Sequence, residues 1–235
     1  RPRAAAGSRQ NGCKLATLVA RPQQPAVLFD LGNVLVRLDM ERGIEGLRRL
    51  APTAAPLSLD LARTFFSEAS LACNRGELAP ERFLELLARD LHLPDAAHDT
   101  LAAAWCDIFT RWEEMESVAE RVLAAGHPAF LLSNTDPLHY AWLSARLPVL
   151  RRMSGVFLSF ENGLLKPDPA FFLEALRRFE LDASRCLFLD DRPENVESAR
   201  SVGIRARVVR GDHREVLELL RANDVALESL CPRIR

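Results

Sequence analysis

Asp30, Ser133, Asn134, Lys166, Asp190 and Asp191 are the side chains of this chain whose types and positions could together do chemistry. A carboxylate such as Asp30 is a weak nucleophile, yet it can accept a phosphoryl group as an aspartyl-phosphate. A phosphate dianion is repelled by neighbouring carboxylates, so such a site needs a divalent cation and a fixed ammonium to neutralise its field. Hard oxygens on Asp30 and Asp191 suit magnesium, which takes few protein ligands and keeps several waters. The Ser133 hydroxyl and nearby backbone N–H groups are placed to bind phosphate oxygens. Lys166 supplies the fixed charge. It is one of two lysines, with Lys14, among 31 basic residues that are otherwise arginine. A Lys at this place in a chain otherwise so rich in Arg points to a need for a compact ammonium.

Each residue also has an ordinary reading. Ser133, Asn134 and Asp136 could simply turn the chain and cap a helix. Lys166 could be a solvated loop residue, Asp190-Asp191 a capping pair, and Asn195 an exposed helix residue. What favours chemistry is the joint arrangement. Asp30 follows Ala26-Val27-Leu28-Phe29, Ser133 follows Ala129-Phe130-Leu131-Leu132, and Asp190 follows Cys186-Leu187-Phe188-Leu189. Runs of this length read as strands buried on both faces, as in a parallel sheet. Gly155–Leu158 and Ile204–Val209 complete the series. Helical patterns lie between them, one begun by Asp136-Pro137, one by Asp168-Pro169, and one spanning 193–202. The alternation predicts an α/β fold, a Rossmann-like open parallel sheet with right-handed crossovers. Ligands of such sheets bind beyond the carboxyl ends of the strands, where Asp30, Ser133 and Asp190 converge.

Residues 39–121 show helical periodicity and no convincing strand, with candidate helices at 40–50, 59–73, 80–91, 95–109 and 117–125. They predict an all-helical insert after the first strand, beside the site. The domain reading is a disordered or artefactual tail over 1–24, an α/β core over 25–38 and 118–225, a helical cap over 39–117, and a C-terminal tail over 226–235. Acidic and basic residues number 32 and 31, so the net charge is −1. That balance argues against a general nucleic-acid binder and a polybasic membrane-surface protein. No run approaches the length of a membrane span. Five scattered cysteines without Cys-x-x-Cys argue against a disulfide framework or structural zinc. The expectation is a cytoplasmic protein, monomer or homodimer, with no nucleic-acid or membrane partner.

Four segments carry a family resemblance: VLFDLGNVLV (27–36), FLLSNTDPLH (130–139), GLLKPDPAFF (163–172) and CLFLDDRPENVESARSVGI (186–204). In order and spacing they resemble the four motifs of the haloacid dehalogenase-like (HAD) superfamily, and the helical insert resembles its C1-type cap. DLGNV, SNT and LFLDD look most similar to the branch of alpha-D-glucose-1-phosphate phosphatases and the phosphatase domain of soluble epoxide hydrolases. The resemblance implies a magnesium-dependent phosphatase of a small phosphorylated metabolite, a sugar phosphate among the candidates. It casts Asp30 as nucleophile and metal ligand, and Gly32 as a metal ligand through its carbonyl. Ser133 and Asn134 would bind phosphate, and Lys166 would steady nucleophile and phosphate. Asp191 would bind the metal, with Asp190 as ligand or orienter and Asn195 in the metal's outer shell.

One position departs from the pattern. Most phosphatases of this family carry Asp two residues after the nucleophile, as general acid and base; here it is Gly32. A general acid is worth roughly 10²–10⁴-fold. Its absence matters least for weakly basic leaving groups, such as the hemiacetal of a sugar 1-phosphate, and argues against a phosphomutase. Asp39 is a possible stand-in, and Arg37 and Met40 sit where the cap linker should hinge. Arg75, in the turn Asn74-Arg75-Gly76-Glu77, is a candidate substrate ligand, and Gly76 permits a tight approach. The histidines show no metal-ligand spacing. Two alternatives stand: a metal-independent 2-haloacid dehalogenase-type hydrolase, disfavoured by the Asp190-Asp191 pair, and a catalytically impaired binding protein.

Overall fold

The computed structural model describes residues 24–50, 63, 65–93 and 98–227. The expected tails therefore lie almost wholly outside the described residues. Five parallel strands form the main sheet: β1 (Ala26–Phe29), β4 (Ala129–Ser133), β5 (Gly155–Leu158), β6 (Cys186–Asp190) and β7 (Arg205–Val208). Their order is β5-β4-β1-β6-β7. All four residues of β1 are buried, as expected of a central strand covered on both faces. Phe29 pairs with Leu131 on one side and Leu189 on the other.

Alternate side chains feed two cores. Val27, Phe29, Leu131 and Leu189 pack with α5 (Glu113–Ala124), α6 (Pro137–Arg146) and α10 (His213–Ala222). Leu28, Phe130, Leu132 and Phe188 pack with α8 (Pro169–Arg178) and α9 (Pro193–Ser201). From β1 the chain runs outward through β4 and β5, then returns to the other side of β1 for β6 and β7. Strand order therefore reverses at β1. A crevice opens at such a switch point, and the ends of β1, β4 and β6 border it.

Between β1 and β4 stand α1 (Met40–Leu50), α2 (Glu68–Asn74), α3 (Pro80–Asp90) and α4 (His98–Cys106). They share a separate apolar cluster built around Trp105, Phe83 and Leu101. Trp105 is sandwiched between Phe65 and His139, with ring centroids 4.3 and 5.2 Å away. The expected helix at 40–50 is present to the residue. The one expected at 117–125 starts earlier, at Glu113. Glu113, Glu114 and Glu116 fill its first turn, where the helix dipole favours acids that carry no apolar periodicity. The expected helix at 59–73 lies partly outside the described residues.

The expectation of no strand in 39–121 needs correction. Val36–Leu38 (β2) and Phe109–Arg111 (β3) form an antiparallel ribbon that carries the chain out to the helices and back. Three-residue strands with exposed ends show too little alternation to be read from sequence. Arg37 lies on this ribbon with its guanidinium 4.1 Å from the Trp112 ring centre. Among the described residues no helix is long and apolar enough to cross a membrane.

Candidate active site

Lys166 is the hub. It sits in the loop between α7 (Ser159–Asn162) and α8, and its ammonium is buried. Nζ lies 2.7 Å from Asp30 Oδ1, 2.7 Å from Asp190 Oδ2 and 3.0 Å from the Leu132 carbonyl. Residues 136 positions apart in the chain thus share one charge pair at the β1–β6 edge. Asn134 holds the loop in place. Its Nδ2 donates to the Lys166 carbonyl (2.8 Å) and its Oδ1 accepts from the Lys166 amide (2.9 Å). Asn134, expected as a phosphate ligand, therefore spends both ends of its side-chain amide on Lys166.

Asp190 is fully buried and saturated with donors. Besides Lys166, Oδ1 accepts from the Arg192 amide at 2.9 Å, and Asn195 Nδ2 lies 3.0 Å from both oxygens. Of its two expected roles, this geometry suits the orienter. Asp191 is only half-buried, and its Oδ2 accepts from Asn33 Nδ2 at 2.9 Å. One carboxylate oxygen from each of Asp30, Asp190 and Asp191 falls within 4.8 Å of the others. Asn195 Oδ1 is buried beside them without a partner. Three carboxylates facing one ammonium leave a net negative site with an unfilled oxygen. That donor set fits a hard divalent cation such as magnesium.

The charges respond to burial. Desolvation pushes the Asp30 carboxyl up to about 7, and Asp190 acts in the same direction against Lys166. Burial pulls the Lys166 ammonium down, but Asp30 and Asp190 more than offset it, so its pKa lies above the ordinary lysine value. Lys166 stays charged.

Asn33 was not singled out from the sequence. It adopts φ 53°, a left-handed conformation that Asn tolerates better than most residues. From there it reaches Asp191 and accepts the Leu38 amide at 3.1 Å, joining the Asp191 carboxylate to the ribbon. The signal available was Asn after Gly in a strand-end turn. At Gly32, an added Cβ would meet Leu38 Cδ1 at 2.9 Å. The place of the usual acid is thus covered by an apolar side chain from β2.

Ser133 lines the same cavity as Asp30, Gly32, Asn134, Lys166, Asp191 and Asn195, a space of about 350 Å³ between sheet edge and cap helices. Arg75 is not brought there. Its guanidinium pairs with Glu77 and Glu68, both at 2.8 Å, and the residue is absent from the lining. Asp39 caps α1 by accepting the Arg42 amide at 3.0 Å and does not line the cavity either. The tight approach expected at Gly76 is present: its φ is 71°, and a Cβ would lie 2.1 Å from the Phe160 carbonyl. A larger hollow, about 620 Å³, lies at the amino ends of β1 and β6, away from Asp30 and Lys166.

A second buried network closes the cap side. Asp136 caps α6 by accepting the His139 amide at 2.8 Å. Its Oδ2 lies 2.8 Å from His139 Nδ1 and accepts from Trp105 Nε1 at 3.3 Å, while His139 Nε2 lies 3.1 Å from the Trp105 carbonyl. Burial pushes the Asp136 carboxyl up, but His139 outweighs it and the pKa falls. Burial pushes the His139 ring down, but Asp136 outweighs it and the pKa rises. Both His139 nitrogens are engaged, so the ring is not free to serve as a general acid.

A family model described as haloacid dehalogenase-like hydrolase matches residues 25–203. The chain is 30% identical to the Mycobacterium tuberculosis protein Phosphatase MT3486, over 78% of this chain and 86% of that one. It is 24% identical to D-ribitol-5-phosphate phosphatase of Bacteroides thetaiotaomicron, over 75% and 87% of the two chains. Its fold matches the crystal structure of the HAD family enzyme BT-2542 of the same bacterium, in complex with magnesium and inorganic phosphate. That match has a TM-score of 0.71 at 22% identity and covers 90% of this chain and all of the other.

Proposed function

This chain belongs to the haloacid dehalogenase-like hydrolase family, and from that premise we propose that it is a magnesium-dependent phosphatase of a small phosphorylated metabolite, acting through an aspartyl-phosphate on Asp30. The observation that carries this reading is the Lys166 ammonium held 2.7 Å from both Asp30 and Asp190, at the sheet's switch point. The relatives named as phosphatases and the fold neighbour solved with magnesium and phosphate support it.

The chain's own groups divide the work. Asp30 attacks phosphorus, the ester P–O bond breaks, and the leaving group departs as its anion, to be protonated afterwards by solvent. A water then attacks the phosphoryl group on Asp30, releasing phosphate and restoring the carboxylate. Lys166 offsets part of the burial that raises the Asp30 carboxyl and opposes the phosphoryl charge. Asp190 and Asn134 position Lys166. Ser133 faces the phosphoryl oxygens. Asp30, the Gly32 carbonyl and Asp191 would hold magnesium, with Asn195 behind them, and the ion would supply Lewis-acid neutralisation of the phosphoryl charge. In this reading the described helices from Met40 to Cys106 form the cap, and the core resumes at Glu113, where α5 begins and packs on the sheet, rather than at 118.

With Gly32 in place of an acid and Leu38 above it, the enzyme relies on leaving groups that depart without a proton. A sugar 1-phosphate meets that condition, as do acyl, enolic and phenolic esters. The test is phosphate release over such a panel, with magnesium and with chelator. Release with magnesium, abolished by Asp30→Asn, is expected. Release unaffected by Asp30→Asn contradicts the reading. Chloride release from a 2-haloacid without metal would favour a dehalogenase, and tight binding without turnover would favour a binding protein.

A further inference from the structure

We propose that the substrate's body, beyond its phosphate, is apolar: a phenolic or enolic group bearing hydrocarbon rather than a polyol. This rests on the phosphatase reading above and concerns the other end of the same cavity. Its cap side is walled by Leu38, Met40, Phe65, Phe66, Ile108 and Phe109. Among the described residues, the polar side chains there are Ser70 and Asn74, and the Ser70 hydroxyl is already spent on the Phe65 carbonyl. On the facing wall, Asp136 and His139 satisfy one another and Trp105, the Thr135 hydroxyl donates to the Asp136 carbonyl, and Arg192 pairs with Glu194. A polyol placed here would bury several hydroxyls against walls that return few hydrogen bonds, and each unpaired hydroxyl weakens binding.

The mouth is apolar as well. Among the described residues, the large hydrophobic side chains that stand exposed are Leu38, Phe66 and Leu173. Two of these, Leu38 at 37% and Phe66 at 73% exposure, line this cavity. A soluble protein gains nothing by leaving a phenylalanine in water, and grouped exposed hydrophobics mark binding surfaces. Here the group continues into the space that holds Asp30 and Lys166. At about 350 Å³ the space is near the lower end of the roughly 300–1,000 Å³ of ligand pockets, suited to one ring system or a short branched chain.

The test uses 4-alkylphenyl phosphates of increasing alkyl length with magnesium, because leaving-group basicity stays constant while apolar area grows. kcat/KM is expected to rise roughly fourfold per buried methylene until the cavity is full, and to exceed the values for glucose 1-phosphate and ribitol 5-phosphate. Phe66→Ser and Leu38→Ser flatten the rise, whereas Leu173→Ser, which does not line the cavity, leaves it unchanged. A flat or falling series, or polyol phosphates preferred over it, overturns the inference. If no ester is turned over, the phosphatase reading fails. The inference is then judged by calorimetric binding of alkylphosphonates with magnesium: affinity must climb with chain length, and length-independent or absent binding refutes it.

Discussion

A single ammonium compensates two buried carboxylates in this site, so the residue with most at stake is Lys166. Replacing it by Met leaves Asp30 and Asp190 buried without their cation. Breaking a buried ion pair in this way costs about 3–5 kcal/mol. Lys166→Met is expected to lose stability on that scale in urea titrations with chelator, and to lose part of the deficit when magnesium is added. Equal destabilisation with and without magnesium would show that the ion does not share the Lys166 field. Gly32 makes a different prediction. An aspartate there must displace only Leu38 Cδ1, the far end of a half-exposed side chain, so the protein is expected to fold. Gly32→Asp should raise turnover of simple alkyl phosphates relative to aryl phosphates, by up to about 10²-fold. An unchanged ratio would refute the account of Gly32.

At the scale of elements, strands announced themselves where both faces are buried, as in Ala26–Phe29 and Cys186–Asp190. Side chains at their ends were therefore legible: Asp30, Ser133 and Asp190 follow apolar runs in the order a parallel sheet requires. The ribbon Val36–Leu38 with Phe109–Arg111 was not, because each strand is three residues long and its partner lies some seventy positions away. Contacts made by that ribbon were hidden with it, including Asn33 to Leu38 and Leu38 over Gly32. The Asp136–His139–Trp105 network was hidden for the same reason. Asp136 reads as a helix cap, which it is, while its bond to Trp105 spans 31 positions. Arg75 failed for another reason: Glu68 and Glu77 lie within reach locally and claim it.

That buried network has a pH signature. Asp136 is depressed below 3.8, so its stabilisation is present above that value and lost as pH falls through its lowered pKa. His139 is raised above 6.5, so its stabilisation is present below that value and lost as pH rises through its raised pKa. The pair contributes most between the two ordinary values. The Tm difference between the protein and its His139→Gln variant is expected to be largest in that window and to shrink on both sides. A difference independent of pH would mean that folding leaves the His139 pKa unchanged, and one that grew as pH rose through 6.5 would mean that the ring is neutral in the folded protein.

For the whole molecule, the cap helices and sheet core share the cavity, and the Asn74–Gly76 turn rests on the Phe160 carbonyl. An alanine at position 76 would need a left-handed φ and would press its Cβ to 2.1 Å from that carbonyl. Gly76→Ala is expected to lift the turn from the core, lowering stability by about 1–3 kcal/mol and raising KM with little change in the magnesium requirement. Unaltered urea unfolding and KM would show that this contact does not set the cap's position.

In the function proposed above, sheet, Lys166 and acidic cluster together let Asp30 carry a phosphoryl group. The direct measurement is acid quenching of the enzyme during turnover of a radiolabelled aryl phosphate with magnesium, followed by peptide mapping. Label that hydroxylamine releases is expected, confined to the peptide containing Asp30 and missing from Asp30→Asn. Phosphate released during steady turnover with no label on Asp30, or with label on another residue, would contradict the proposed function.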